Sequence, residues 1–203
     1  RNFHRRVYLH RVGTTTDADV LVFGAGMTMT NYYGVEVSVD GRWLQVSASE
    51  GTEPRNDLWI ADLHTTSVAA PQFRLVQGDV DAETGIDVGR DGRFYVTTNL
   101  DAPRGRVAVC DPSTPTSEHW VDLLPEDPDS VLDGWAILDG PQMPRPRLLV
   151  ARTRHTVSEL SLHDLTTGER LQTVELPGVG TVNGPIERPE GGPEAWFTYT
   201  DHT

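Results

Sequence analysis

Serine, histidine and cysteine are the side chains that would carry nucleophilic chemistry, and this sequence contains all three. A hydrolase serine sits in a Gly-x-Ser-x-Gly elbow, where a strained turn exposes its hydroxyl. No serine here stands in such a context: Ser47 and Ser49 fall in an alternating, strand-like run, and Ser113 and Ser117 in a Pro-rich turn. A triad also needs a base and an orienting carboxylate. His155 and the pair His163-Asp164 are present, but His163 falls on an alternating strand, where a surface or half-buried histidine is expected. Cys110 lies in the strand-like VAVCDP beside Asp111, whose charge disfavours a thiolate, so a packed core cysteine is expected. The seven histidines show neither HxH nor HExxH spacing, and there is no CxxC. Glu126, Asp127 and Asp129 lack the glycine and spacing of an EF-hand loop, and Gly24 to Gly26 is too short for a phosphate loop. The sequence therefore predicts no catalytic residue, no metal site and no cofactor within these residues, and no peptide hydrolysis by this chain alone.

What the residues do specify is a scaffold of short strands and turns. Val7 to Val12 reads as a strand closed by Gly13; Val35 to Val39 and Trp43 to Ser49 alternate on either side of Asp40-Gly41. Asp-Gly between two such runs predicts a hairpin with a type I′ turn, because both residues tolerate positive φ. The pattern recurs at Ile86 to Val88, Asp91-Gly92 and Phe94 to Thr98, 51 residues on (40 to 91). A second element repeats as well: LWIADLHTT from Leu58, VAVCDPST from Val107 and LSLHDLTTG from Leu160. Each is an alternating strand ending in Asp, followed by a Thr- or Ser-bearing turn. VYLHRVGT from Val7 fits one period earlier, with His10 in the Asp position. Helical periodicity is almost absent; only Pro128 to Trp135 has the spacing for a helical turn. A repeat of about 50 residues built from strands predicts an all-β fold, a β-propeller of about four blades, each a four-stranded antiparallel sheet. A β-sandwich would also give short strands and turns, but does not require both elements at matched offsets.

Composition agrees. The 203 residues include 19 Gly and 14 Pro, which favours turns over long helices. The net charge of −13 disfavours a nucleic-acid or anionic-membrane partner. One cysteine excludes an intrachain disulfide and leaves the compartment open, with the cytoplasm favoured. No apolar run approaches the roughly 20 residues that span a bilayer. The chain opens on Arg1 rather than Met, so the start of the gene product is expected elsewhere.

A family resemblance rests on motifs in order along nearly the whole chain. Gly34 to Leu63 carries a Ser-x-Asp-Gly-Arg hairpin, a strand, then Glu50-Gly51-Thr52-Glu53-Pro54-Arg55-Asn56-Asp57-Leu58-Trp59. Thr97 to Pro103 (TTNLDAP), Trp120 to Leu132 (WVDLLPEDPDSVL), Leu176 to Gly180 and Phe197 to Thr200 follow. These resemble the propeller of the prolyl oligopeptidases, serine peptidases in which a seven-bladed propeller covers an α/β-hydrolase domain. The resemblance implies that residues 1–203 are a single partial propeller domain, its later blades, without the earlier blades, the N-terminal cap segment or the hydrolase domain.

It also implies a function: the propeller gates and selects short proline-containing peptides, which the absent domain cleaves after proline. Tyr32, Ser49 and Thr52 occupy positions that line or border the substrate chamber in that family. Ser49 stands where the family often has arginine, so a positive charge is missing and peptide preference is open. For Tyr32 and Thr52, filling a blade gap and shaping a turn are the plain alternatives. Glu50 and Asn56 are expected to tie the loop to backbone, and Trp59 to pack between blades. A stand-alone propeller that binds or assembles without peptidase activity is the alternative function. Four blades of a seven-blade ring would leave apolar blade faces bare, so the isolated chain is expected to form a homodimer.

Overall fold

The alternating runs pair with their neighbours in sequence, and the computed structural model describes the result over residues 3–201. β1 (Val7–Leu9) pairs with β2 (Val20–Phe23). β3 (Asn31–Val37), β4 (Trp43–Glu50), β5 (Asp57–Asp62) and β6 (Arg74–Gln77) form a four-stranded antiparallel sheet in chain order. So do β7 (Thr84–Val88), β8 (Phe94–Thr98), β9 (Arg106–Cys110) and β10 (Val121–Leu124). β11 (Val131–Leu138), β12 (Arg147–Arg154), β13 (Val157–Asp164) and β14 (Arg170–Val174) form the next, and β15 (Gly180–Glu187) pairs with β16 (Ala195–Asp201). Each four-stranded meander is a propeller blade. Among the described residues there are three whole blades and, at the two ends, half-blades. By the repeat, β1 and β2 stand in the third and fourth positions of a blade, and β15 and β16 in the first and second.

Burial follows position within the blade. β4 and β8 are buried along most of their length, because a middle strand has a neighbour on each edge. In β4 Leu44, Val46 and Ala48 fill one face, and on the other Gln45 is buried with its amide donating to the Ile86 carbonyl (2.9 Å). The outermost β14 is largely exposed. The chain divides into two compact units, one holding the residues up to Val96 with Cys110–Trp120, the other Thr97–Val109 with Val121 onward. In the first, Trp43 and Phe94 begin the second strands of successive blades, and their rings meet edge to face at 5.0 Å. Phe23 of β2 packs on Tyr33, Trp59 and Phe73. In the second, Leu138, Leu149, Ala151, Leu160 and Val182 form a buried cluster. Gly168 there approaches the Leu123 carbonyl so closely that a Cβ would lie 1.8 Å from its oxygen.

The repeated strand-Asp-turn has a local cause. The carboxylates of Asp62, Asp111 and Asp164 accept the amides two residues on, from His64 (2.9 Å), Ser113 (2.7 Å) and Thr166 (2.9 Å). In the first repeat His10 replaces the aspartate, and its Nδ1 lies 2.6 Å from Asp19 instead.

Three expectations need correction. The Asp-Gly hairpins are not type I′: the turns sit one residue earlier, with Gly41 N–H donating to the Ser38 carbonyl (2.7 Å) and Gly92 N–H to that of Gly89 (2.9 Å). Asp40 and Asp91 keep negative φ, and only the glycines enter the left-handed region, at +73° and +81°. The aspartates serve by accepting the Arg42 and Arg93 amides (3.1 and 3.0 Å). The first strand ends at Leu9 rather than Val12. Pro128 to Trp135 holds no helical turn: residues from Val131 join β11, whose register with β12 breaks between Leu132 and Gly134, consistent with a bulge.

Candidate functional site

Tyr32 and Ser49 are brought together by strand register. They are direct partners in the antiparallel β3–β4 pair, so they share one face of the blade. Tyr32 is half exposed (51%), and Ser49 is partly buried. β4 ends at Glu50, and the Glu53 amide donates to the Glu50 carbonyl (3.2 Å) to close a turn. Gly51 takes a φ of +62° at its first central position, and Thr52 occupies the second, exposed. The turn is pinned beside β3, because Thr30 Oγ1 donates to the Glu50 carboxylate (2.7 Å).

A fourth residue joins this rim from a distant part of the sequence. Arg5 lies with its guanidinium carbon 3.5 Å from the centroid of the Tyr32 ring, and its Nη1 donates to the Asn31 carbonyl at 3.4 Å. Sequence reading missed Arg5, because nothing local marks a contact across 27 residues.

Below the rim is a groove of about 390 Å³, walled by Gly34 and Glu36 of β3, Ser47 and Ser49 of β4, and Thr84 and Ile86 of β7. Ser49 is the predicted residue that lines it. The groove's floor is held by a buried polar network. Asn56 Nδ2 donates to the Thr84 carbonyl (2.9 Å), while the Thr84 amide donates to Asn56 Oδ1 (2.7 Å). Gln77 Nε2 donates to the Asn56 and Ala82 carbonyls, and Thr84 Oγ1 to Gln77 Oε1 (2.7 Å). Asn56 thus imitates a strand partner for β7, so burying these amides incurs no unpaired-group penalty. The Glu50 side chain, by contrast, is held by the Thr30 hydroxyl. Trp59 packs on Phe23 of the neighbouring half-blade. A larger cleft of about 590 Å³ lies beside the Asp62 and Asp111 turns. Its charged walls are already engaged: Arg42 with Asp62, and Arg74 with the Pro112 and Ser113 carbonyls.

The groups that would do covalent chemistry are differently placed. Burial, and then the neighbouring Asp111, push the Cys110 thiol up to about 11. Ser161 Oγ lies 3.0 Å from His163 Nε2, and His163 Nδ1 lies 2.9 Å from the Gly168 carbonyl. Since that carbonyl can only accept, Nδ1 carries the proton and Nε2 accepts from Ser161. Burial lowers the His163 pKa and keeps the ring neutral. A serine on a neutral imidazole is the contact of a nucleophile and its base, but Ser161 is 7% exposed in the middle of β13, without the turn that presents a nucleophile. Asp127 and Asp129 both face Arg154, which also pairs with Glu159 (3.1 Å).

Residues 1–200 match the family model described as the prolyl oligopeptidase N-terminal β-propeller domain. The chain belongs to the prolyl oligopeptidase family. Prolyl oligopeptidase A of Amanita bisporigera is 28% identical over 96% of this chain and 24% of its own length. A prolyl endopeptidase of Elizabethkingia meningoseptica is 27% identical over 88% of this chain and 23% of its own length. A solved prolyl endopeptidase superposes with a TM-score of 0.79 at 27% identity, covering 96% of this chain and 27% of that one. Prolyl oligopeptidase B of Galerina marginata, solved with a 35mer hydrolysis and macrocyclization substrate, has the same fold at a TM-score of 0.78 and 24% identity, over 93% of this chain and 25% of that one. The chain therefore spans about a quarter of the length of the curated relatives it matches. The family's motif residues here divide into the Asn56 network, which holds the loop, the partly buried Ser49 in the groove wall, and the exposed Tyr32 and Thr52.

Proposed function

We propose that this chain is the gating and substrate-selecting part of a serine peptidase that cleaves short peptides after proline, and that the chain by itself is inactive. The observation that carries the reading is the match of residues 1–200 to the propeller domain of peptidases, in a chain whose serines lack a nucleophile elbow. In this reading residues 1–203 form one partial propeller domain, the nucleophile belongs to a hydrolase domain beyond it, and Tyr32, Ser49 and Thr52 border the substrate chamber. The decisive measurement is a chromogenic proline-peptide assay on the full-length gene product. Turnover abolished by a serine-directed phosphonate is the expected result. A folded, full-length protein without turnover overturns it in favour of a binding propeller.

The chain expressed alone has a second expected property. β1–β2 and β15–β16 expose Tyr8, Leu21, Ile186 and Trp196, and apolar surface of this kind drives association. The isolated chain is expected to form homodimers in light scattering at micromolar concentration; a monodisperse monomer counts against this.

A further inference from the structure

We propose that Arg5, stacked on Tyr32, binds a carboxylate of the incoming peptide, so that this rim favours acidic over neutral peptides. The proposal rests on the reading of Tyr32, Ser49 and Thr52 as the edge of the substrate chamber.

The guanidinium is already oriented. At 3.5 Å from the Tyr32 centroid it lies over the ring face, where the negative quadrupole holds a cation. Its Nη1 reaches the Asn31 carbonyl at 3.4 Å, a long contact that occupies one donor of five. Such a planar fork matches both oxygens of a carboxylate, and stacking reduces the rotamer freedom lost on binding.

The charge is also unspent. Arg42, Arg55, Arg93, Arg106, Arg147 and Arg154 each pair with a carboxylate, whereas among the described residues none is paired with Arg5. The acids of the adjacent turn are occupied elsewhere, Glu50 by Thr30 and Glu53 by Arg55 (2.7 Å each). In a chain with 30 acidic and 17 basic residues, the general field repels an anionic peptide, so one open cation at the rim carries weight. Position completes the case. Arg5 covers Tyr32, Tyr32 is the register partner of Ser49, and Ser49 lines the groove. A peptide lying in the groove would place a side-chain or terminal carboxylate within reach of Arg5.

The test uses the full-length gene product and two proline peptides that differ only in Glu against Gln on the N-terminal side of the proline. The expected acid-to-amide ratio of kcat/KM exceeds one, falls about five- to tenfold in Arg5→Gln, in line with a charge-assisted hydrogen bond at a partly exposed site, and is partly kept in Arg5→Lys. The ratio also falls as salt rises from 50 to 500 mM, as screening requires. An unchanged ratio in Arg5→Gln, or an equal loss on both peptides, overturns the proposal. Calorimetric binding of the same two peptides separates it from the peptidase reading. A protein without turnover that still prefers the acid through Arg5 refutes only the peptidase reading, and equal binding of both peptides by wild type and Arg5→Gln refutes the carboxylate site.

Discussion

Two hairpins carry the same Asp-Gly-Arg-aromatic sequence and are wired differently. In the β3–β4 hairpin Arg42 reaches across the blade to Asp62 at the end of β5, with Nε and Nη2 at 3.1 and 2.8 Å from Oδ2. In the β7–β8 hairpin Arg93 turns back on Asp91 (2.8 Å) and donates to the Tyr95 hydroxyl (2.8 Å), which itself donates to Asp91. The choice is made two residues beyond the arginine. Tyr95 stands where the first hairpin has Leu44, and its hydroxyl supplies the local partner. The ring then constrains the turn, since a Cβ at Gly89 would lie 2.5 Å from it, while the equivalent Ser38 hydroxyl accepts the Trp43 amide (2.8 Å). The turn is thus set by the shared residues, and the ion pair by what packs beside it.

Making the second hairpin resemble the first is the strongest way to break this contrast. Gly89→Ser forces a side chain into the Tyr95 ring and is expected to cost about 2 kcal/mol, as overpacking does. Adding Tyr95→Leu removes the ring from the clash and leaves only the Asp91 carboxylate, 2.6 Å from that Cβ, to move aside, so the double variant is expected to be more stable than the single one. Urea unfolding of the two variants checks this, and equal midpoints would show that the ring does not impose the glycine.

A smaller effect sharpens the contrast. The Arg42 guanidinium holds the Asp62 carboxyl below its usual range. At Asp91 burial pushes upward, but the Arg93 amide, the Tyr95 hydroxyl and the Arg93 guanidinium together lower it. A carboxyl depressed in the folded state stabilises above its unfolded pKa of about 3.9, and that stability is lost as pH falls through the folded value. Arg42→Ala is therefore expected to raise the Asp62 pKa, leave Asp91 in place, and flatten the loss of stability below about pH 4. Carboxyl-carbon NMR titration reads both groups; a matching rise at Asp91 would mean that the two hairpins share one network.

Much of the scaffold was legible because its causes are local. Asp62, Asp111 and Asp164 cap their turns through amides two residues away, so the repeat in sequence is a repeat in structure. The type I′ expectation failed within that range, because the Asp side chain stabilises a turn one residue earlier and leaves only glycine at positive φ. Pro128 to Trp135 misled because Val131, Leu132 and Trp135 suit a helix as well as a strand. Pairing with β12 from Val131–Thr153 to Leu138–Arg147 overrides that local preference.

By itself the sequence determined the all-β repeat, the order of its strands and the membership in a peptidase family, since period, turn residues and motif order are properties of the chain. Tyr32, Ser49 and Thr52 could be named from motif position, but not their surroundings. Only the tertiary structure set Tyr32 opposite Ser49, placed Arg5 on the Tyr32 ring, and closed the Asn56–Gln77–Thr84 network beneath the groove. Those contacts join residues up to 28 apart, where strand register and burial, rather than local preference, decide which side chains meet.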